Sequence, residues 1–282
     1  MSSKLMKGDG RTHIRSKLMR ESLQDREVIG DTDSLRDRRI LPDITLVSIG
    51  GQSIFDRGAA AIVPLAEELA ELHLAGTKMV LAVGGGTRIR HTAAVALDLG
   101  LPTGGVAQLM GAMEELNAKM LNALLAKHGS ITMPRDHFWD LPLYMNSGIL
   151  PIVISVPPYH FWEPPTAEGQ MPTHRSDFGV FQQAEVIGSS RVIYVKDEDG
   201  MYDKDPKIHD DAVPYRQIKL AELLANPPKT NMIDWTVFTS WSTSKNIKRI
   251  QIVNGLKKGQ LTKAMNDDDS VGTVITTEDS NG

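Results

Sequence analysis

The chain of 282 residues contains no cysteine, which excludes disulfides and any thiolate-ligated metal. It also lacks an excess of positive charge: 31 lysines and arginines stand against 35 aspartates and glutamates, a formal net charge of −4. A nucleic-acid partner would normally require a basic footprint, so none is expected. No run approaches the roughly 20 apolar residues of a membrane span, and the first residues are too polar for a signal peptide. A cytoplasmic protein without a membrane partner is the expectation. Aromatic residues are scarce, at 5%, and the chain instead carries 13 methionines, which foretells an aliphatic core with adaptable side chains.

What is present suits one large or two closely joined α/β domains, since 41% of the residues are hydrophobic and a chain of this length buries a sizeable core. The organising stretch runs from Ser190 to Pro206. Its β-branched half, Arg191-Val192-Ile193-Tyr194-Val195, reads as a buried parallel strand. It breaks into Lys196-Asp197-Glu198-Asp199-Gly200-Met201-Tyr202-Asp203-Lys204-Asp205-Pro206, a turn that sets polar groups at the carboxyl edge of a sheet. Open α/β folds bind ligands at that edge. Asp199-Gly200 supplies the bend, Tyr202 a flat ring, and Pro206 prevents the strand from continuing.

Residues 1 to 40 are polar and charge-mixed. They read as an arm with a short helix from Ser16 to Leu23, in contact with a neighbouring subunit or disordered. The folded domain is expected over residues 41–277, with a disordered tail at 278–282. It begins with the strand Ile44 to Ile49, followed by Gly50-Gly51 and by Ile62, Leu65, Leu69 and Leu72 at helical spacing. A second strand, Lys78 to Val83, ends in Gly84-Gly85-Gly86-Thr87-Arg88-Ile89-Arg90. Glycine amides ahead of a helix can cradle phosphate, three successive glycines imply a close approach to the backbone, and Arg88 and Arg90 suit an anion. Met113, Leu116, Met120, Leu121 and Leu124 repeat with helical period on a core-facing or subunit-facing helix.

A strand from Ile149 to Val156 then leads into a proline-stiffened excursion, Pro157 to Asp177. It carries His160, His174, Glu163 and Arg175, a set suited to ligand or metal binding. Ser176-Asp177 is expected to cap a helix reaching Gly188. Helices follow near Gln217 to Ala225 and from about Asp234 to Asn246, the latter placing Trp235, Phe238 and Trp241 on one core or interface face. Strands at Arg249–Val253 and Val271–Thr276 complete the pattern, the last expected to close the sheet. Alternating strands and helices make a doubly wound, mainly parallel sheet with helices on both faces the natural architecture.

Taken together, Gly50-Gly51, Gly84-Gly85-Gly86, Asp199-Gly200-Met201-Tyr202, Asp205-Pro206 and Asn254-Gly255 resemble the amino-acid kinase superfamily, a three-layer α/β sandwich, with uridylate kinases the nearest kinase branch. A narrower likeness rests on Ile49-Gly50-Gly51-Gln52-Ser53 with Asp56-Arg57-Gly58, Gly86-Thr87-Arg88 with Arg90-His91, Pro157-Pro158-Tyr159, Val195 to Gly200, and Gln251 to Leu256. These segments resemble the molybdenum storage proteins over about residues 40 to 277. That resemblance implies a cage-like hexamer of three dimers, formed by this subunit alone or with a related second one. It implies Mg-ATP at the kinase-like site and ATP-dependent deposition of molybdate or tungstate as oxide clusters.

By resemblance, Gly50, Gly51, Gly84, Gly85, Gly86 and Arg88 would meet the ATP phosphates. Lys196, Asp199, Gly200, Tyr202, Asp205, Asn254 and Lys257 would lie nearer the nucleotide, with Lys196, Asp199 and Arg88 the candidate catalytic groups. His160, His174, Glu163 and Asp177 are the candidate metal-contacting residues. One departure is plain: kinases of the superfamily carry a lysine two residues before the Gly-Gly pair, to offset charge on the transferring phosphoryl group, and here that position is Ser48. Two other readings follow, a nucleoside monophosphate (UMP-type) kinase in which Asp177 and Asp199 help hold Mg-nucleotide, and a shell subunit that has lost catalysis.

Overall fold

A computed structural model describes residues 39–157 and 172–277. The expected N-terminal arm and its helix, the C-terminal tail, and the two candidate ligands His160 and Glu163 lie outside the described residues. In chain order the elements are β1 (Thr45–Ile49), α1 (Ala59–Leu74), β2 (Met79–Val83), α2 (Thr87–Asp98), α3 (Thr103–Leu125), β3 (Ser130–Thr132), α4 (Leu141–Asn146), β4 (Leu150–Ile154), α5 (Ser176–Ile187), β5 (Arg191–Lys196), β6 (Gln217–Lys219), α6 (Leu220–Ala225), α7 (Trp235–Trp241), β7 (Arg249–Asn254), α8 (Gln260–Met265) and β8 (Thr273–Thr276).

The eight strands form one sheet in the order β3-β4-β2-β1-β5-β7-β8-β6. Every pairing is parallel except β7 with β8. The expected doubly wound, mainly parallel sheet is therefore the one observed. Strand order reverses at β1: β2 lies on one side of it, and β5 returns to the other. Open α/β sheets bind ligands beyond the carboxyl ends of the strands at such a switch point.

The strand residues are buried on both faces, and alternation sorts them. Val47, Ile49, Leu81, Val83, Ile193 and Val195 pack against Leu65 and Leu69 of α1 and Leu121 of α3. Leu46, Val80, Ala82, Val192 and Tyr194 face the opposite way, toward Phe178 and Phe181 of α5 and Phe238 and Trp241 of α7. Truncating any of these large side chains to alanine would cost about 2–5 kcal/mol.

Several local expectations are corrected. Residues Gln217–Lys219 form an edge strand beside β8, and the helix begins only at Leu220. Consequently β8 does not close the sheet, and β6 does. The helix expected to reach Asn246 stops at Trp241, whose indole Nε1 donates to the Ile247 carbonyl and turns the chain back. Ser176 and Asp177 are the first residues of α5 and not its cap: their side chains bond outward, to Glu114 and Lys196. On α3, Leu121 is buried, whereas Leu109, Leu116, Met120 and Leu124 are exposed.

Candidate functional site

A cavity of about 960 Å³ opens over the carboxyl ends of β1, β2 and β5, at the switch point. Its floor is formed by the two glycine turns, whose first amides extend the strand ladders: Gly50 N donates to the Val195 carbonyl at 3.0 Å and Gly84 N to that of Ile49 at 2.9 Å. The glycines are needed because the turns approach each other. A Cβ on Gly51 would overlap the Gly86 amide nitrogen and the Gly84 carbonyl carbon, backbone that cannot move aside. Gly86 also has φ of 71° and would press a side chain into the Asp56 carboxylate. That carboxylate accepts from the Thr87 amide at 2.6 Å and the Thr87 hydroxyl at 2.5 Å. Asp56 thus satisfies the first exposed donor of α2 from across the turn, and an acidic group suits a helix N-terminus.

Charged side chains converge on this floor. Lys196, at the end of β5, bonds both oxygens of Asp177 at 2.9 and 3.1 Å, and both partners are nearly buried, with side-chain exposures of 12% and 15%. Asp177 also accepts from the Asp234 amide at 3.2 Å, while Arg175 bonds the Asp234 carboxylate at 2.6 Å. Burial, followed by the nearby charge of Asp177, pushes the Asp234 carboxyl above its ordinary pKa. A second group centres on Asp197, bridged by Arg57 at 2.6 Å and Lys207 at 2.7 Å. Burial there favours the neutral acid, but the two cations outweigh it and hold Asp197 below its ordinary pKa.

Glu114 joins three elements behind the site. From α3 it accepts the amides of Ser155 at 2.8 Å and Val156 at 2.6 Å, at the end of β4, and the Ser176 hydroxyl at the start of α5. Complete burial raises its pKa to about 7, against the opposing effect of those hydrogen bonds.

Of the residues singled out in the sequence, Gly50, Gly51, Gly84, Gly85, Gly86, Lys196, Tyr202, Asp205 and Asp177 line the cavity together, as does Ser48. Arg88 does not: its guanidinium bonds Asn117 on α3, and Arg90 lines the cavity. Asp199, Asn254 and Lys257 form an adjacent cluster beyond β5 and β7, with Asp199 bonded to the Asn254 amide at 3.0 Å and to Lys257 at 2.5 Å. Gly200 provides the bend next to it, with φ of 109°. His174 lies outside the lining, stacked on Phe178 with ring centroids 4.1 Å apart. Among the described residues no group of three or more His, Asp or Glu is arranged to hold a metal ion. Sequence reasoning missed Asp56, Arg57, Asp197, Lys207 and Asp234 as site residues. The Asp56-Arg57-Gly58 segment was a visible signal for the first two, whereas Asp234 comes from a distant loop that nothing local marks.

An open, mainly parallel sheet with two glycine turns and a charged cavity at the switch point defines an α/β protein of the kinase type. Residues 43–134 and 143–240 match the amino acid kinase family, and the chain belongs to that family. It is 38% identical over 259 residues to the molybdenum storage protein subunit beta of Azotobacter vinelandii, covering 92% of this chain and 95% of that one. It is 24% identical over 182 residues to the uridylate kinase of Methanocaldococcus jannaschii, covering 61% of this chain and 74% of the kinase. Among solved structures, the uridylate kinase of Archaeoglobus fulgidus superposes with a TM-score of 0.66 at 22% identity, over 82% of this chain and 99% of the other. That likeness speaks to the fold alone. Among the described residues no helix is long and apolar enough to cross a membrane.

Proposed function

We propose that this chain is a subunit of a molybdate- or tungstate-storing assembly that binds Mg-ATP in the cavity at the switch point. The observation that carries the reading is its 38% identity, across 92% of the chain, to a molybdenum storage protein subunit. The cavity supports the nucleotide half. Its volume of about 960 Å³ lies within the range of ligand sites, and Arg57, Arg90, Lys196 and Lys207 offer cations above the glycine turns. Magnesium commonly takes one or two carboxylates plus phosphate oxygens. Asp177 and Asp234 fit that role, because burial, followed by the charge of Asp177, raises the pKa of Asp234, and a divalent cation would offset both.

The cation that kinases carry on the first strand is replaced from the neighbouring one. Ser48 stands opposite Tyr194 in the β1–β5 register. Alternation puts Lys196 on the same face as Tyr194 and Ser48, one step closer to the cavity. Lys196 thereby serves as the charge partner of the phosphates, and Asp177 releases it when nucleotide arrives. The exposed apolar stripe of Leu109, Leu116, Met120 and Leu124 on α3 supports assembly into a larger oligomer, the proposed form being a hexameric cage.

Elemental analysis tests the reading. Protein purified after growth with molybdate or tungstate, and incubated with ATP and magnesium, is expected to retain many metal atoms per subunit. No more than trace metal would overturn storage. ADP formation that depends strictly on UMP would instead favour a nucleoside monophosphate kinase.

A further inference from the structure

Behind the second glycine turn, α3 carries a polar side chain in an otherwise apolar face. Asn117 is fully buried, one helical turn before Leu121, which packs in the core. A buried amide is costly unless both of its ends are paired, and here both are. The Arg88 guanidinium of α2 donates to Oδ1. A guanidinium can only donate, so it fixes which way the amide faces, and Nδ2 is left to donate to the Gly84 carbonyl at 2.6 Å. Gly84 is thereby held at both of its polar atoms, since its N–H already meets the Ile49 carbonyl at 2.9 Å.

This pinning decides where the next amide points. The peptide between Gly84 and Gly85 is planar and trans, so the Gly85 N–H runs antiparallel to the Gly84 carbonyl. With the carbonyl turned back to α3, the N–H is turned the other way, toward the cavity that both glycines line. Among the described residues that N–H has no hydrogen-bond partner. A backbone donor that is open, and fixed before any ligand arrives, grips an anion without first having to be ordered.

We infer, on the reading of the cavity as an Mg-ATP site, that Asn117 is a positioning residue for it. By holding the Gly84 carbonyl, Asn117 aims the Gly85 N–H at a phosphate oxygen. Arg88 stands one step further back and keeps Asn117 in the orientation that permits this. Its guanidinium therefore acts through Asn117 and not on the ligand. Three substitutions separate these parts. Asn117→Asp keeps the oxygen that meets Arg88 and removes the donor that meets Gly84. Asn117→Leu keeps the approximate volume and removes both bonds, and Arg88→Ala removes the outer one.

Two measurements on the full-length, assembled protein test this: calorimetry with Mg-ATP, and hydrogen exchange of the Gly85 amide after selective 15N-glycine labelling. In the unaltered protein, Mg-ATP should slow exchange at Gly85 at least tenfold, a readout that needs no variant to fold and that a purely structural Asn117 would not produce. Asn117→Asp should lower Mg-ATP affinity about tenfold, the worth of one hydrogen bond to a charged group, and abolish the protection at Gly85. Arg88→Ala should lower affinity about threefold alone and have no further effect in the Asn117→Leu background. Circular dichroism shows whether each variant is folded. Exchange at Gly85 that bound ATP does not slow, or an undiminished ATP affinity in folded Asn117→Asp, overturns the role of Asn117. Additive losses for Arg88 and Asn117 put Arg88 on the ligand itself and overturn its place behind Asn117. Absence of Mg-ATP binding by the unaltered protein is a different result: it removes the nucleotide site, and the positioning role with it.

Discussion

Ser48 of β1 and Lys196 of β5 share one face of the sheet at the mouth of the cavity, the lysine two residues beyond Tyr194, the register partner of the serine. The cation on this face is paired with Asp177 at 2.9 Å, and in the function proposed above it stands in for the charge that a kinase carries on its first strand.

Replacing that charge should be felt first in nucleotide affinity. Lys196→Gln is expected to weaken Mg-ATP binding at least tenfold, and to destabilise the fold by about 1–3 kcal/mol because Asp177 is left nearly buried without its cation. Calorimetry with ATP and urea denaturation read the two effects separately. Unchanged ATP affinity would remove Lys196 from the site.

Ser48→Lys puts two ammonium groups on one face, next to a single carboxylate at Asp177. If Lys196 already fills the kinase role, ATP hydrolysis should not rise in the variant, and its thermal stability should fall through like-charge repulsion. A large gain in ADP release would show instead that catalysis was lost with the strand lysine.

The contact between the glycine turns predicts a structural penalty without any ligand. Gly51→Ala would drive a methyl into the backbone of Gly84 and Gly86 and should cost about 2–3 kcal/mol. Gly76→Ala is the comparison: its φ of 84° is strained for alanine but nothing lies within 4 Å, so the loss should be nearer 1 kcal/mol. Equal losses would mean that turn conformation matters and inter-turn packing does not.

Glu114 should make stability depend on pH. Its carboxyl is raised from 4.5 to about 7 in the folded chain, so between those values the unfolded state loses a proton that the folded state keeps. Stability should fall as pH rises through that window, by up to about 3 kcal/mol, and level off above it. Glu114→Gln can still accept the Ser155 and Val156 amides and hydrogen-bond Ser176. It should lack the slope and be the more stable protein at pH 8, as measured by urea unfolding at pH 5, 6.5 and 8.

The stripe on α3 predicts an assembly defect. Leu116→Glu with Met120→Glu places charge where two large apolar side chains face outward, and should shift the oligomer toward smaller species in light scattering while leaving the helical signal intact. An unchanged mass would show that α3 faces solvent in the assembly.

The sequence alone determined six of the eight strands, β1, β2, β4, β5, β7 and β8, and the two glycine turns that border the cavity at their ends. Buried parallel strands advertise themselves as continuous apolar runs, and glycines after them mark close backbone approach, both consequences of local chemistry. It could not distinguish the two partners of that approach. The triple glycine signalled a close approach to its own backbone, and only the fold revealed that the approaching group is Gly51. Nor could it orient Arg88, which the family resemblance placed at the phosphates and packing turns toward Asn117. Asp234 reaches Asp177 from 57 residues away, and β6 joins the edge of the sheet through β8, pairings of long sequence separation that no periodicity encodes. Local residues set which strands and turns could form; packing between distant segments decided which charges meet.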